Sequence, residues 1–438
     1  MNYDVVIVGN GILGCAIAYL LSQEVPELKI AIIGDPKREG SASMAAGAML
    51  NVFSEVDENT LCNDIAKERF VYAIQSTSLW KEWAIRLAKD SGMPVDYKLG
   101  TKIVVRNDSD QEKMDLIVKA LNEFNEPYTY PNPGSLGMTH AVSFNGLEYN
   151  HTPQHKEITI PGEGWVIPSQ LFAAFDKYLH KSSVHTEGDK VSIINTEEKT
   201  VFTQNYQKTF TYGKLILAAG AYTGELLKNL GVETPRMFYG VGNAFVAHGN
   251  FKQEQVVRTP VRTGTCGIVL VPQNGHMYVG ASSWVTKNPE YYPRFSSIYN
   301  ISQEALLMNS DLLESKISKF LVGHRPITED GMPLIGELDS IEDIYVVTGT
   351  RRDGLHMSPL LAKDTINRLL GYSPIVSETF APERAPLKTL SLMSAIKQTA
   401  KIRRSPFGML EKEMEAVEKI YEDKKLDRGV LPELLDII

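Results

Sequence analysis

The feature that most constrains this chain is Gly9-Asn10-Gly11-Ile12-Leu13-Gly14. It follows the apolar run Val5-Val6-Ile7-Val8 directly and opens a helical stretch carrying Ala16, Ile17, Tyr19, Leu20 and Leu21. Three glycines at this spacing say little alone, but between a buried strand and a helix each has a task. Gly9 permits the tight turn, Gly11 lets a pyrophosphate approach the backbone, and Gly14 lets the helix pack close to the strand. The helix N-terminus offers unpaired N–H groups and the positive end of its dipole to phosphates. A second buried strand over 29–33 follows within one βαβ length, so the chain opens as an α/β dinucleotide-binding unit. One element is displaced. The acidic residue that hydrogen-bonds an adenosine ribose normally ends the second strand, whereas here Ile32-Ile33-Gly34 precedes Asp35. Either Asp35 reaches the ribose from a shifted register, or backbone groups of Gly34 and Asp35 take its place. No arginine follows at once, which argues against a 2′-phosphorylated cofactor; Arg38 lies further on.

The rest of the chain alternates in texture. Residues 65–90 read as a helix, with Ala66, Phe70, Ala73, Trp80, Trp83 and Leu87 at helical spacing. Past residue 96 the pattern changes to a strand at Ile103-Val104-Val105, a helix over 111–124 and a stretch rich in Pro, Gly and Asn. A helix over 168–179 and strands over 191–195, 200–202 and 214–217 follow. Residues 236–321 are strand-rich, with strands expected at 243–247, 267–271 and 277–280, and a last strand over 344–348 precedes a helix over 360–370. The expectation is an α/β fold: a Rossmann-type domain from 1–95, 155–235 and 322–372, with an inserted mixed-sheet α+β substrate domain from 96–154 and 236–321. Residues 373–438 form a helical C-terminal extension. In it Leu410, Met414, Val417 and Tyr421 share one helix face, which packs on the body or a second subunit, or docks another protein.

With 438 residues the chain is too long for one ordinary core. A net charge of −8 and a pI near 5.7 exclude the basic field that nucleic acid or an anionic membrane would need. No apolar run approaches a membrane span. The first strand starts at residue 4 and leaves no room for a secretory leader, so a cytoplasmic protein is expected. Cys15, Cys62 and Cys266 give neither a disulfide framework nor a zinc pattern, and no metal is expected.

Small residues run through Gly40-Ser41-Ala42-Ser43-Met44-Ala45-Ala46-Gly47-Ala48-Met49-Leu50, where a backbone can lie against a flat, bulky ligand. At this point the chain resembles the D-amino-acid oxidase superfamily of FAD-dependent oxidoreductases, and within it the glycine oxidase group. Further matches follow in the family's order: Lys214-Leu215-Ile216-Leu217-Ala218-Ala219-Gly220-Ala221-Tyr222, then Gly323-His324-Arg325-Pro326 with Asp330-Gly331-Met332-Pro333, then Gly349 to Pro359. The resemblance covers residues 1–372 and leaves the tail outside. It implies non-covalent FAD, bound by Gly9, Gly11, Ile12, Leu13, Gly14, Gly34, Asp35, Ser41, Ala42, Ser43, Ala46, Gly47, Ala48, Met49, Val191, Ala219, Gly220 and the loop Thr350, Arg351, Arg352, Asp353, Gly354, Leu355, His356.

The resemblance further implies an enzyme that oxidises the C–N bond of an amino acid or N-substituted amino acid by hydride transfer to flavin. Oxygen would be the acceptor, giving an imine and hydrogen peroxide. Arg325 and Arg352 match two arginines that hold the substrate carboxylate, a task suited to their planar forks. The plainer alternatives are an inter-domain ion pair for Arg325 and pairing with its neighbour Asp353 for Arg352. Arg351 stands where the family is aromatic or small; it either adds charge for a diacid or faces solvent. His356 departs from an apolar position and either tunes the flavin or faces elsewhere. Val269 and Ser283 replace a tyrosine and a methionine, so the pocket is remodelled. Tyr239 and Trp284 are replacement walls or core. Two further readings remain: a biosynthetic oxidase of a tailored or carrier-bound amine, and the flavin subunit of a heteromeric dehydrogenase.

Overall fold

The computed structural model describes residues 1–130, 157–261 and 266–387, and the backbone of two short paired strands, Val142–Phe144 and Leu147–Tyr149. The four-residue apolar stripe of the tail lies outside the described residues. The strand β1 (Asn2–Val8), the helix α1 (Ile12–Glu24) and the strand β2 (Ile30–Ile33) form the βαβ unit read from the glycine motif. In β1 and β2 the residues Val5 to Val8 and Ile30 to Ile33 are all buried, as expected of parallel strands covered on both faces. Helix α1 is buried from Ile12 to Ser22, which its apolar composition on every side requires.

Two sheets organise the chain. The first runs Leu334–Glu337, Ile344–Thr348, Thr209–Leu217, β1, β2, His185–Glu187, with Thr200–Thr203 and Val191–Asn195 added beside Thr209–Leu217. Five of its strands, from Ile344–Thr348 across to His185–Glu187, pair in parallel. The second sheet contains Tyr97–Val104 and Glu157–Val166 together with the strands between 237 and 328. Its longest pairing is the antiparallel one between Met237–His248 and Lys316–Thr328. The strand Glu157–Val166 lies beyond the expected boundary at 155, and Lys316–Thr328 crosses the one at 322, yet both pair in the second sheet.

The long helix α2 (Asp64–Ser91) begins where the Asn63 side chain accepts from the Ala66 N–H and stops at Gly92, whose φ of 65° is left-handed. It buries Phe70, Trp80, Trp83 and Leu87 and packs against the helices Pro168–Lys181 and Ser358–Leu369, the latter also touching α1. The helix Phe295–Leu306 and most of the Lys316–Thr328 strand have no counterpart in the sequence reading. Of the expected helical extension, the described part through residue 387 holds only the 3-10 turn Glu378–Phe380. This segment is tied to the body by buried Phe380 and by the Leu387 N–H donating to Asp330.

Candidate active site

A cavity of about 550 Å³ opens where the parallel strands of the first sheet end and runs toward the second sheet. Ligands of such sheets sit in this place, outside the carboxyl ends of the strands. Val8, Ile33, Ala218 and Thr350, each at or just past a strand end, border it. Every cofactor residue named from the sequence lies on its wall except Gly14. Gly14 instead meets β1: a Cβ there would overlap the Gly9 carbonyl, so its absence brings α1 against the strand.

The glycine-rich end fits a dinucleotide. The N-terminus of α1 has no side-chain cap and no acidic residue in its first turn. Nothing lies within 4 Å of where a Gly220 Cβ would be, and at Gly11 only Ser43 Oγ, at 3.8 Å. Open space therefore faces the backbone at the start of the helix, the arrangement a pyrophosphate uses. At the ribose position Asp35 accepts from the Lys37 N–H at 2.9 Å and faces Lys190 at 3.7 Å, while its own carbonyl accepts from Asn10 Nδ2 at 2.8 Å. Arg38 is engaged elsewhere, by Asp176 and over the Phe172 ring.

The small-residue run forms the next part of the wall. Ser43 Oγ accepts from the Ile12 N–H at 3.3 Å and joins this run to α1. His356 is buried, its carbonyl accepting from Trp80 Nε1 at 2.6 Å and Ser76 Oγ at 3.0 Å, and its Nε2 meeting Thr77 Oγ1 at 2.6 Å. Burial pushes its imidazole down to about 4, so it is neutral at pH 7. Of the two readings of His356, its ring is tied to α2 while the residue still borders the cavity.

Arg258, Arg325, Arg351 and Arg352 also border the cavity. Arg325 lies across Met237–His248, its Nη1 donating to the Ser282 carbonyl at 3.2 Å. Gly242 makes room for it: a Cβ there would fall inside the guanidinium. Arg325 has no carboxylate at ion-pair distance among the described residues, and so forms no inter-domain salt bridge with any of them. Arg352 pairs with Glu55 at 3.1 Å, and not with Asp353, which pairs with Arg69. Burial and repulsion from Arg352 and Arg69 hold the Arg351 guanidinium down to about 10. Arg351 is half-buried and also borders a smaller cavity of about 60 Å³.

Glu55 and Arg258 are the site residues that sequence reasoning missed. Glu55 ends the 3-10 turn Phe53–Glu55, and Arg258 is 1% exposed at the end of Val256–Arg258. Arg258 donates from Nη1 to Glu55 and from Nε to the Thr259 carbonyl at 3.2 Å. Burial would raise the Glu55 carboxyl; Arg258, Arg352 and Arg325 together outweigh it and hold the group at about 2. The turn is itself held by buried Glu163, which accepts from the N–H groups of Val52 and Ser54 at 2.8 and 3.0 Å.

Of the substrate residues read from the sequence, Arg325, Arg352 and Val269 border the cavity, and Tyr239 and Ser283 do not. Tyr239 is turned to the other face of its strand from Gly242. It donates to Glu225 and packs edge-on to Tyr222 and His324. Trp284 is buried beneath Arg294, whose guanidinium lies 4.2 Å over its ring. Tyr278 and Ala281 occupy the wall instead.

The family described as FAD dependent oxidoreductase matches residues 4–368. Among curated relatives, a glycine oxidase of Geobacillus kaustophilus is 25% identical over 385 residues, covering 84% of this chain and 93% of that protein. The hydrogen cyanide synthase subunit HcnC of Pseudomonas protegens is 22% identical over 438 residues, covering 88% and 98%. The crystal structure of the Geobacillus kaustophilus glycine oxidase superposes with a TM-score of 0.74 at 22% identity, covering 88% of this chain and 99% of that one.

Proposed function

This chain belongs to the family of FAD dependent oxidoreductases, and from that premise we propose that it oxidises the C–N bond of an amino acid or N-substituted amino acid whose carboxylate is anchored by Arg325 and Arg352. The observation that supports this reading is that both arginines border the cavity that the glycine-rich turn also borders, and that both act on Glu55. FAD, when bound, supplies the hydride acceptor. The chain's own residues do the rest. Arg325 is held from behind by the Ser282 carbonyl and Arg352 by Glu55, so a carboxylate meets guanidinium groups already oriented. Val269, Tyr278 and Ala281 exclude water beside them. A cationic wall disfavours an ammonium ion, so the amine binds in its neutral form and no strong general base is needed.

FAD is held non-covalently in this reading. Both imidazoles on the cavity wall already have partners: His356 Nε2 has Thr77, and the two nitrogens of His324 have Tyr222 at 2.9 Å and the Glu290 carbonyl at 2.7 Å. Acid precipitation then leaves the flavin in the supernatant. The test of the reaction is anaerobic bleaching of the flavin across a panel of amines, with a protein that no carboxylate-bearing amine reduces overturning it. Admission of oxygen then decides the acceptor. Fast reoxidation with one peroxide per turnover identifies an oxidase. Slow reoxidation with a co-purifying chain identifies a dehydrogenase subunit, which the likeness to an HcnC subunit favours.

A further inference from the structure

We propose that Tyr278 is a substrate-binding residue, its hydroxyl donating to the carboxylate that Arg325 holds. The inference rests on the amine-oxidising reading above and adds a contact that the arginines do not supply. Tyr278 is 4% exposed and borders the cavity from the strand His276–Gly280. Side chains alternate between the faces of a sheet along each strand. Ala244 stands opposite Gly280, and Gly280 opposite Val269, so Gly242, Ala244, Tyr278, Gly280 and Val269 share one face of the second sheet. Gly242, Tyr278 and Val269 border the cavity from that face.

Two glycines of this face lie beneath the two head groups. A Cβ on Gly242 would fall within the Arg325 guanidinium, and one on Gly280 would fall 2.7 Å from Tyr278 Oη. Gly242 and Gly280 are diagonal neighbours on paired strands, an arrangement that sets Cα atoms about 7–8 Å apart. A carboxylate with one oxygen turned to each side, and hydrogen bonds of about 2.8 Å, spans such a gap. A Gly47 Cβ would lie 2.9 Å from Tyr278 Cε1, so the ring is fixed in a slot between Gly47 and Gly280. Its hydroxyl is less firmly held. It donates to the Ala45 carbonyl at 3.3 Å, well beyond the usual O–H···O length of about 2.7–2.8 Å, and a charged acceptor displaces so long a bond. Burial pushes the phenol up and the Arg325 charge draws it part of the way back, so it is protonated at neutral pH and has a hydrogen to give. A fixed ring with a free-turning hydrogen meets an anion without first ordering a flexible chain.

Tyr278→Phe keeps the ring in its slot and removes the donor alone. The FAD-loaded protein is titrated by calorimetry with two amine-free carboxylates, acetate and propionate, and its flavin is reduced anaerobically by the preferred amino acid. The expected result is a rise of about tenfold or more in Kd for both carboxylates, the loss of one hydrogen bond to a charged group. For the amino acid kred/Kd falls by a similar factor, through Kd and not kred, while the flavin spectrum and FAD affinity stay at their wild-type values. Gly280→Ala, whose methyl group displaces the hydroxyl, gives the same loss and decides the matter where Tyr278→Phe does not load FAD. Carboxylate Kd values unchanged in both variants overturn the proposal, as does a wild-type protein that binds neither carboxylate. Weakened binding of the amino acid alone places the hydroxyl on the amine, and altered FAD affinity with unchanged carboxylate Kd places it on the cofactor; either result overturns the proposal. Reduction by no amine overturns the reading beneath it and leaves the carboxylate titration to judge Tyr278.

Discussion

Gly242→Ala tests the substrate anchor without touching a functional side chain. The glycine sits inside the strand Met237–His248 opposite Lys316–Thr328, with Gly242 across from Gly323, and its backbone is not left-handed. Alanine is therefore allowed there, and the smaller entropy of the unfolded chain offsets part of any strain. The added methyl group falls within the Arg325 guanidinium, whose atoms have to leave. That movement breaks the Nη1 bond to the Ser282 carbonyl and takes the fork away from a substrate carboxylate. A hydrogen bond to a charged group contributes about 1.5–3 kcal/mol. At 1.36 kcal/mol per tenfold, the expected loss in kcat/KM is about 10- to 150-fold. It falls mainly on KM if the anchor acts alike in ground and transition states. The assay is anaerobic stopped-flow reduction of the flavin, with FAD affinity measured separately by fluorescence. Unchanged kinetics for every carboxylate substrate refute the assignment of Arg325. Loss of FAD with unaltered kinetics of the reloaded protein refutes it as well, and places the residue in support of the cofactor.

Arg352→Gln should raise KM for carboxylate-bearing substrates by a similar factor while FAD stays bound, read by the same two measurements. Gly14→Ala drives a methyl group into the Gly9 carbonyl and should cost about 1–3 kcal/mol of stability together with FAD affinity, measured by denaturation with and without FAD. Acid should unfold the protein in two windows. The Glu55 carboxyl, held at about 2, stabilises the fold above its ordinary value of 4.5, and that contribution is lost as pH falls from there through about 2. His356, lowered to about 4, is neutral in the fold and protonated when unfolded between about 4 and 6.5, so stability falls as pH drops through that range. The latter contribution is on the order of 3 kcal/mol. His356→Gln should flatten the pH dependence of thermal unfolding there; an unaltered slope shows that His356 is not the group responsible.

The βαβ unit, its glycine turn and the small-residue run were legible because each is local: a strand, a turn and a helix follow one another, and the ligand meets consecutive backbone. Helix α2 was legible through its spacing alone. The Lys316–Thr328 strand was not, since its exposed first half, Lys316 to Phe320, lacks the apolar run that marks a buried strand. Tyr239 was misplaced for a related reason. Met237–His248 is buried on both faces for most of its length, so no polar–apolar alternation tells which face meets the cavity.

The charges of the site were the least legible part, because a charge acts through partners that the sequence does not place beside it. Asp353 follows Arg352 directly, and adjacency made it the natural counter-ion. Its partner is Arg69, 284 positions away, and Arg352 takes Glu55 from a turn that buried Glu163 holds in place. Arg258 arrives from a third element and completes a wall whose charge belongs to no single residue. This explains how a site without a strong base serves amine oxidation in the reading proposed here. In that reading the same two guanidinium groups that draw in a carboxylate oppose a positive charge on the amine, so binding and deprotonation are driven by one field. Glu55 tempers that field, since its carboxylate pairs with both Arg258 and Arg352. Glu55→Gln should therefore weaken the fold, read as a lower midpoint of thermal unfolding, and an unaltered midpoint shows that the pairing does not hold this wall together.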